Sequence, residues 1–109
     1  MFYLSFSDVF KKDVCSTIDY IKRIFEAPMA AQNHTIEIEK TYIKLEENPY
    51  RRPLVQNNFL ARKGYRSIKV KNYVIFYEIV EENSTVILHR FLYSRRDWVN
   101  ILMSEFKEE

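Results

Sequence analysis

Three short runs of β-branched and aromatic residues, parted only by polar turns, fill most of the stretch from Ala61 to Trp98. The runs are Tyr65 to Val70, Tyr73 to Val80 and Thr85 to Tyr93, with Lys71-Asn72 and Glu81-Glu82-Asn83-Ser84 between them. Valine, isoleucine, tyrosine and phenylalanine suit a pleated, half-buried surface. Connections this short permit only antiparallel pairing of neighbours, because a parallel crossover needs about a dozen residues or more. The stretch therefore predicts a three-stranded antiparallel meander. A sheet must bury at least one face, so the preceding residues are expected to cover it. Basic residues interrupt the strands where apolar ones would serve packing, and the uncovered face is where function is expected.

The N-terminal half reads as that cover. Phe2 to Phe6 is an apolar run suited to an edge strand, and Ser7-Asp8 supplies an N-cap and a first-turn acid. Val9, Phe10, Val14, Ile18, Ile21 and Phe25 recur at helical spacing, which predicts an amphipathic helix from Asp8 to Glu26. Pro28 fits the first turn of a second helix. Its stripe is Ala31, Thr35, Ile38, Tyr42 and Leu45, helped by Ala30, Ile36 and Ile43, and Asn48-Pro49 ends it. So short a linker predicts an antiparallel helical hairpin. Residues 48–64 read as a long connection with Arg51-Arg52, Arg62-Lys63 and the sole glycine, pinned to the body by Leu54, Val55, Phe59 and Leu60. Loops of this length are often functional.

Alternation assigns the sheet faces. On the second strand Tyr73, Ile75, Tyr77 and Ile79 are expected on one face, and Val74, Phe76, Glu78 and Val80 on the other. On the third, Ile87, His89, Phe91 and Tyr93 alternate with Val86, Leu88, Arg90 and Leu92. Both faces are more apolar than solvent would favour. The second is expected to take a C-terminal helix, a partner, or both. Ser94 is read as the cap of that helix, with Asp97 three residues on and Trp98, Ile101, Leu102 and Phe106 as its apolar side. Residues 1–109 are thus expected to form one α+β domain: an N-terminal strand, a helical hairpin, a three-stranded antiparallel meander and a short C-terminal helix.

The net charge is only +2, but residues 51–96 carry ten basic and three acidic residues, a local +7 in an otherwise acidic chain. Such an island points to a polyanion or an acidic protein segment as partner. Chance clustering of surface charge is the plain alternative. The lone Cys15 cannot form an internal disulfide, which fits a reducing cytoplasm. No stretch has the plan of a secretory leader and no apolar run approaches about 18 residues, so no membrane partner is expected. Two distant histidines and one cysteine do not make a metal site, and no cofactor is implied.

Local patterns sharpen the reading. Pro28-Met29-Ala30-Ala31 opens the second helix, and a basic loop leads into Tyr65-Arg66-Ser67-Ile68-Lys69-Val70. Asn72-Tyr73-Val74-Ile75-Phe76-Tyr77 follows, then Val86-Ile87-Leu88-His89-Arg90-Phe91-Leu92-Tyr93-Ser94-Arg95-Arg96-Asp97. This ordered set resembles the RelE/ParE superfamily of toxins from bacterial type II toxin–antitoxin modules, also labelled plasmid stabilisation proteins. The resemblance covers nearly the whole chain. It implies a growth-arresting toxin and a cognate antitoxin that wraps a partly disordered segment around it. That segment is expected on the sheet face bearing Arg66 and Arg90 and along the helical hairpin.

The family divides into two mechanisms. RelE-like members cut messenger RNA in the translating ribosome, using basic side chains to stabilise charge in the transition state and a placed acid/base group. ParE-like members poison DNA gyrase by binding. For the nuclease branch the resemblance offers Lys69, Arg90 and Arg95 as catalytic candidates. Two departures stand against it. Val74 occupies the position of the arginine in the nuclease pattern Tyr-Arg-x-x-Tyr, and no tyrosine or histidine follows Trp98. The Pro-Met-Ala-Ala opening, the long hairpin and the Arg-x-x-x-x-Arg-Arg-Asp run from Arg90 look like the ParE-like branch, which stands ahead. A non-toxic nucleic-acid-binding module shares the basic island and is the alternative outside the toxin class. Candidate binding residues are Arg62, Lys63, Arg66, Arg90, Tyr93, Arg95 and Arg96. The plain readings are that Arg90 pairs with Glu78, that Tyr73, Tyr77 and Trp98 are core, that His89 is packed, and that Arg95 to Asp97 solvate and cap the last helix.

Overall fold

Ser7 marks where the first strand hands over to the first helix. Its Oγ accepts the Phe10 N–H at 3.0 Å and donates to the His89 carbonyl at 2.9 Å, while its own N–H reaches the Leu88 carbonyl at 3.1 Å. The computed structural model, which describes residues 1–24 and 28–106, thus starts with β1 (Tyr3–Phe6) and α1 (Asp8–Ile24) joined through one residue. The expected end of α1 at Phe25 and Glu26, and the acidic tail at 107–109, lie outside the described residues. The chain continues through α2 (Pro28–Glu47), α3 (Asn58–Arg62), β2 (Tyr65–Val70), β3 (Tyr73–Val80), β4 (Thr85–Tyr93) and α4 (Trp98–Met103).

The sheet order is β1-β4-β3-β2. The meander β2-β3-β4 is antiparallel as expected, and β1 joins its edge parallel to β4, with Tyr3 opposite Thr85 and Phe6 opposite Leu88. On one face the helical hairpin buries Phe10, Ile38 and Leu45 against Ile75, Tyr77, Val86, Leu88 and Phe91. On the other, Leu60 of α3 and Leu102 of α4 close over Tyr65, Phe76 and Leu92. Each fully buried side chain of this size contributes roughly 1.5–3 kcal/mol. The fold is α+β, with the expected elements in the expected order.

Five local expectations are corrected. First, β4 does not alternate evenly. Tyr77 lies opposite Leu88 but Phe76 lies opposite Arg90, so His89 is an extra residue, a β-bulge. Val86, Leu88 and Phe91 therefore share the hairpin face, where strict alternation would have put Phe91 on the other. Second, the connection 48–64 is not all loop. Asn57 Oδ1 accepts the Leu60 N–H at 3.0 Å and starts α3, while Val55 and Leu60 are buried and Leu54 stays exposed. Third, Ser94 is not the cap of α4. Its N–H donates to the Asn72 carbonyl at 2.8 Å, so the chain has not yet left the sheet there. Asp97 caps instead, accepting the Asn100 N–H at 3.4 Å. Fourth, α2 buries Ala31, Ile38, Thr41 and Leu45, and leaves Thr35, Ile36 and Ile43 exposed. Thr41 tolerates burial because its hydroxyl donates to the Glu37 carbonyl at 2.9 Å. Fifth, Arg66 and Arg90 do not share a face, as described below.

With one glycine in the chain, already used at Gly64 (φ 89°), the hairpin turns take left-handed backbone from Lys71 (φ 55°) and Ser84 (φ 52°). A side chain in that region costs roughly 1–2 kcal/mol.

Candidate functional site

The pairing register builds the site. Lys69, Val74 and Leu92 form one row across β2, β3 and β4. The row faces away from the hairpin, because Val74 and Leu92 belong to the core under α3 and α4. Lys69 ends it in solvent. The turn Lys71-Asn72 lies beyond. The Ser94 N–H to Asn72 carbonyl bond, and the Arg96 N–H to Tyr93 carbonyl bond at 3.0 Å, hold the segment after β4 against that turn. Lys69, Lys71, Arg95 and Arg96 are thereby gathered at one end of the sheet. All four are exposed, and among the described residues none makes an ion pair. Uncompensated like charge at one end attracts anions and acidic segments. Lys71 was in no expected site set; a lysine in a two-residue turn inside the basic island is the signal that would have found it.

Arg90 stands apart from these. It sits on β4 past the end of β1, so its side chain reaches round the sheet edge. Nε and Nη2 donate to the Asp13 carboxylate at 2.8 and 3.2 Å, and Nη1 donates to Glu105 at 3.0 Å. Asp13 also accepts the Phe91 N–H at 3.0 Å. The Arg90 and Asp13 side chains are each only 15% exposed. The hydrogen bond with Asp13 holds the guanidinium above its ordinary value against the opposing pull of burial, and Glu105 adds to it. The expected Glu78 partner is not used: Glu78 takes the His89 Nε2 at 2.9 Å. His89 stacks on Tyr65, ring centroids 4.8 Å apart. Burial, then Glu105 and Glu78, push the Tyr65 phenol to about 12.

Arg66 lies opposite Tyr77 and so points to the hairpin side, whereas Arg90 lies opposite Phe76. Arg66 Nη1 donates to the Arg52 carbonyl at 2.6 Å, and its guanidinium sits 5.3 Å from the Tyr50 ring centre. The register thus sets the two arginines on opposite faces. Arg62 and Lys63 belong to the end of α3, with Lys63 Nζ 5.3 and 5.4 Å from the Phe59 and Phe106 rings. They adjoin the start of β2, roughly 13 Å from Lys69 along the strand. Tyr93 turns to the hairpin side, its ring 5.5 Å from Tyr73. Tyr77 is core as read, donating its hydroxyl to the Pro49 carbonyl at 2.7 Å.

The structure thus brings Lys69, Arg95 and Arg96 together, adds Lys71, and leaves Arg62, Lys63 and Arg66 elsewhere. Val74 and Trp98 pack against the core within the same face. Such an end can bind negative charge. His89, the one histidine on the meander, is engaged with Glu78 and Tyr65. Among the described residues no three metal-ligating side chains converge, and no helix is long and apolar enough to cross a membrane.

The fold has solved counterparts. The chain is similar to a structure of the chromosomal ParDE toxin–antitoxin system from P. aeruginosa at TM-score 0.63 and 15% identity, over 85% of this chain and 96% of that one. It is similar to the toxin–antitoxin complex RelBE2 from Mycobacterium tuberculosis at 0.57 and 19%, over 84% and 96%. The intact E. coli RelBE complex matches at 0.54 and 14%, over 88% and 100%. These three likenesses show the fold. No curated protein matches the sequence. The family model described as the ParE toxin of type II toxin-antitoxin system, parDE, matches residues 4–98, and the chain belongs to that family. It is a toxin of a type II toxin–antitoxin system.

Proposed function

We propose that this toxin arrests growth in the cytoplasm by binding DNA gyrase rather than by cutting messenger RNA, and that a cognate antitoxin neutralises it. The observation that carries this reading is Val74. Where the nuclease branch is expected to place a phosphate-contacting arginine, a valine packs against the core under α3 and α4. An acid/base side chain next to Lys69 and Arg95 is missing from the described residues of that row, and cations without one bind better than they cleave. Lys69, Lys71, Arg95 and Arg96 are the contacts with target or antitoxin in this reading, and Arg90 is a positioning residue. The ParDE and RelBE structures support the antitoxin, whose acidic segment would lie over the unpaired cations.

The nuclease reading keeps one point in its favour: Lys69 and Arg95 are free to meet phosphate. Expression from a tightly repressed promoter separates the two. Loss of gyrase supercoiling with intact messenger RNA is the expected result. Cleavage of messenger RNA only while ribosomes translate it would overturn the proposal.

A further inference from the structure

On the hairpin side, behind the unpaired cations, lies a cavity of about 440 Å³ walled by Tyr20, Ile21, His34, Asn72, Tyr73 and Tyr93. A second hollow of about 240 Å³ shares Tyr20, Tyr73 and Tyr93 and adds Arg96, with Ser16, Thr17 and the Arg90-paired Asp13 also in its wall. The larger volume falls within the range of small-molecule sites, roughly 300–1,000 Å³.

The walls are unusual for unfilled core. Tyr73 is held by its neighbours: its ring stacks on Phe91 at 5.0 Å and 3°, and meets Tyr93 edge-on at 5.5 Å. The His34 ring meets it edge-on at 5.5 Å. Tyr20 and Tyr93 stand at the rim, 47% and 40% exposed. The His34 Nδ1 is buried with no hydrogen-bond partner among the described residues. Burial first, and the charge of Lys71 second, push that imidazole below its ordinary value and so favour its neutral form. Asn72 adds an amide. Lys71 stands close enough to act on His34, and Arg96 lines the second hollow.

Each feature narrows the occupant. A purely apolar ligand would not call for an amide, an imidazole and two unpaired cations. An inorganic anion would not call for three tyrosines. A flat heterocycle bearing a negative group uses both, stacking on aromatic faces and pairing with the cations. We propose that this cavity binds a nucleoside phosphate, its base against Tyr20 and Tyr93 and its phosphate toward Lys71 and Arg96. A free nucleotide and an unstacked base of a single strand present the same chemistry. The site is on the opposite face from Val74 and Lys69, and does not depend on the gyrase reading.

The test is an NMR titration of the full chain with each nucleoside monophosphate, with inorganic phosphate, and with short single-stranded oligonucleotides. Saturable shifts at the Asn72 side-chain amide and the His34 ring are expected. Tyr93→Ser and Arg96→Ala should each weaken binding about tenfold, while Lys40→Ala, on the far side of α2, leaves it unchanged. The same spectra report whether each variant is folded. Saturation by mononucleotides assigns a free nucleotide; saturation by oligonucleotides alone, at the same two residues, assigns a single strand. Shifts that inorganic phosphate reproduces equally, shifts centred on Trp98 instead, or no saturation by about 10 mM of any probe would overturn the proposal.

Discussion

Arg90 and Arg95 stand five residues apart, one on β4 and the other on the turn that leaves it, and the molecule treats them in opposite ways. Arg90 is clamped between Asp13 of α1 and Glu105 beyond α4, tying the helices on the two faces to each other round the sheet edge. Arg95, with Arg96, Lys69 and Lys71, has no carboxylate partner among the described residues. These five basic residues of the island are therefore two populations. One holds the layers together and could be withdrawn for a ligand only by stranding a largely buried aspartate. The other presents charge that folding does not consume.

Breaking the clamp should have the largest effect. Arg90→Met leaves Asp13 without its cation and should cost about 3 kcal/mol, read as a fall in the urea midpoint. A midpoint at the wild-type value would mean the clamp does not hold the layers. Val74→Arg comes next. It forces a charged side chain into the row packed under α3 and α4 and should cost about 1–3 kcal/mol without conferring messenger RNA cleavage. Cleavage by this variant would show that one side chain separates the two mechanisms.

The open end also acts on His34, whose folded-state pKa lies below the ordinary 6.5. As pH falls through that value the unfolded chain takes up the proton first. Stability is thus fully present above about 6.5 and declines below it, until the folded form also titrates. The urea midpoint should drop more between about pH 7.5 and about pH 5.5 in wild type than in His34→Gln. Lys71→Ala should shrink the drop, and an unchanged drop would deny that Lys71 acts there. The smallest stability change belongs to Lys69→Ala, Arg95→Ala and Arg96→Ala combined, each expected within about 0.5 kcal/mol. The same triple variant should relieve growth arrest. Retained toxicity would move the target contacts away from the open end.

Much of this was legible because the signals are local. A strand's alternation, a helix's apolar stripe and a proline or asparagine at a helix end each act over a few residues, so β1, the hairpin and the meander fall where the pattern puts them. The resemblance to the RelE/ParE superfamily rests on the same ordered runs. What was misread turns on which of two local options a distant contact selects. Asn57 could sit in a loop or cap a helix, and burial of Leu60 favours the cap. Ser94 could begin α4, but Asn72 engages its N–H and Asp97 takes the role.

The β-bulge at His89 is the sharpest case. Nothing in Val86 to Tyr93 marks an extra residue, and strict alternation is the natural reading. The bulge appears because β1 ends at Phe6, Ser7 caps α1 against the His89 carbonyl, and Asp13 takes the Phe91 N–H. Those partners lie 82 and 78 residues away. Sequence alone determined the order of the strands, the hairpin and the last helix, the faces of β3 and the concentration of positive charge between Arg51 and Arg96, because propensity, periodicity and net charge are properties of neighbouring residues. Only the tertiary structure decided which cations are free and which face each of them meets. A guanidinium's role depends on whether a carboxylate is within hydrogen-bond reach, and that distance is set by packing.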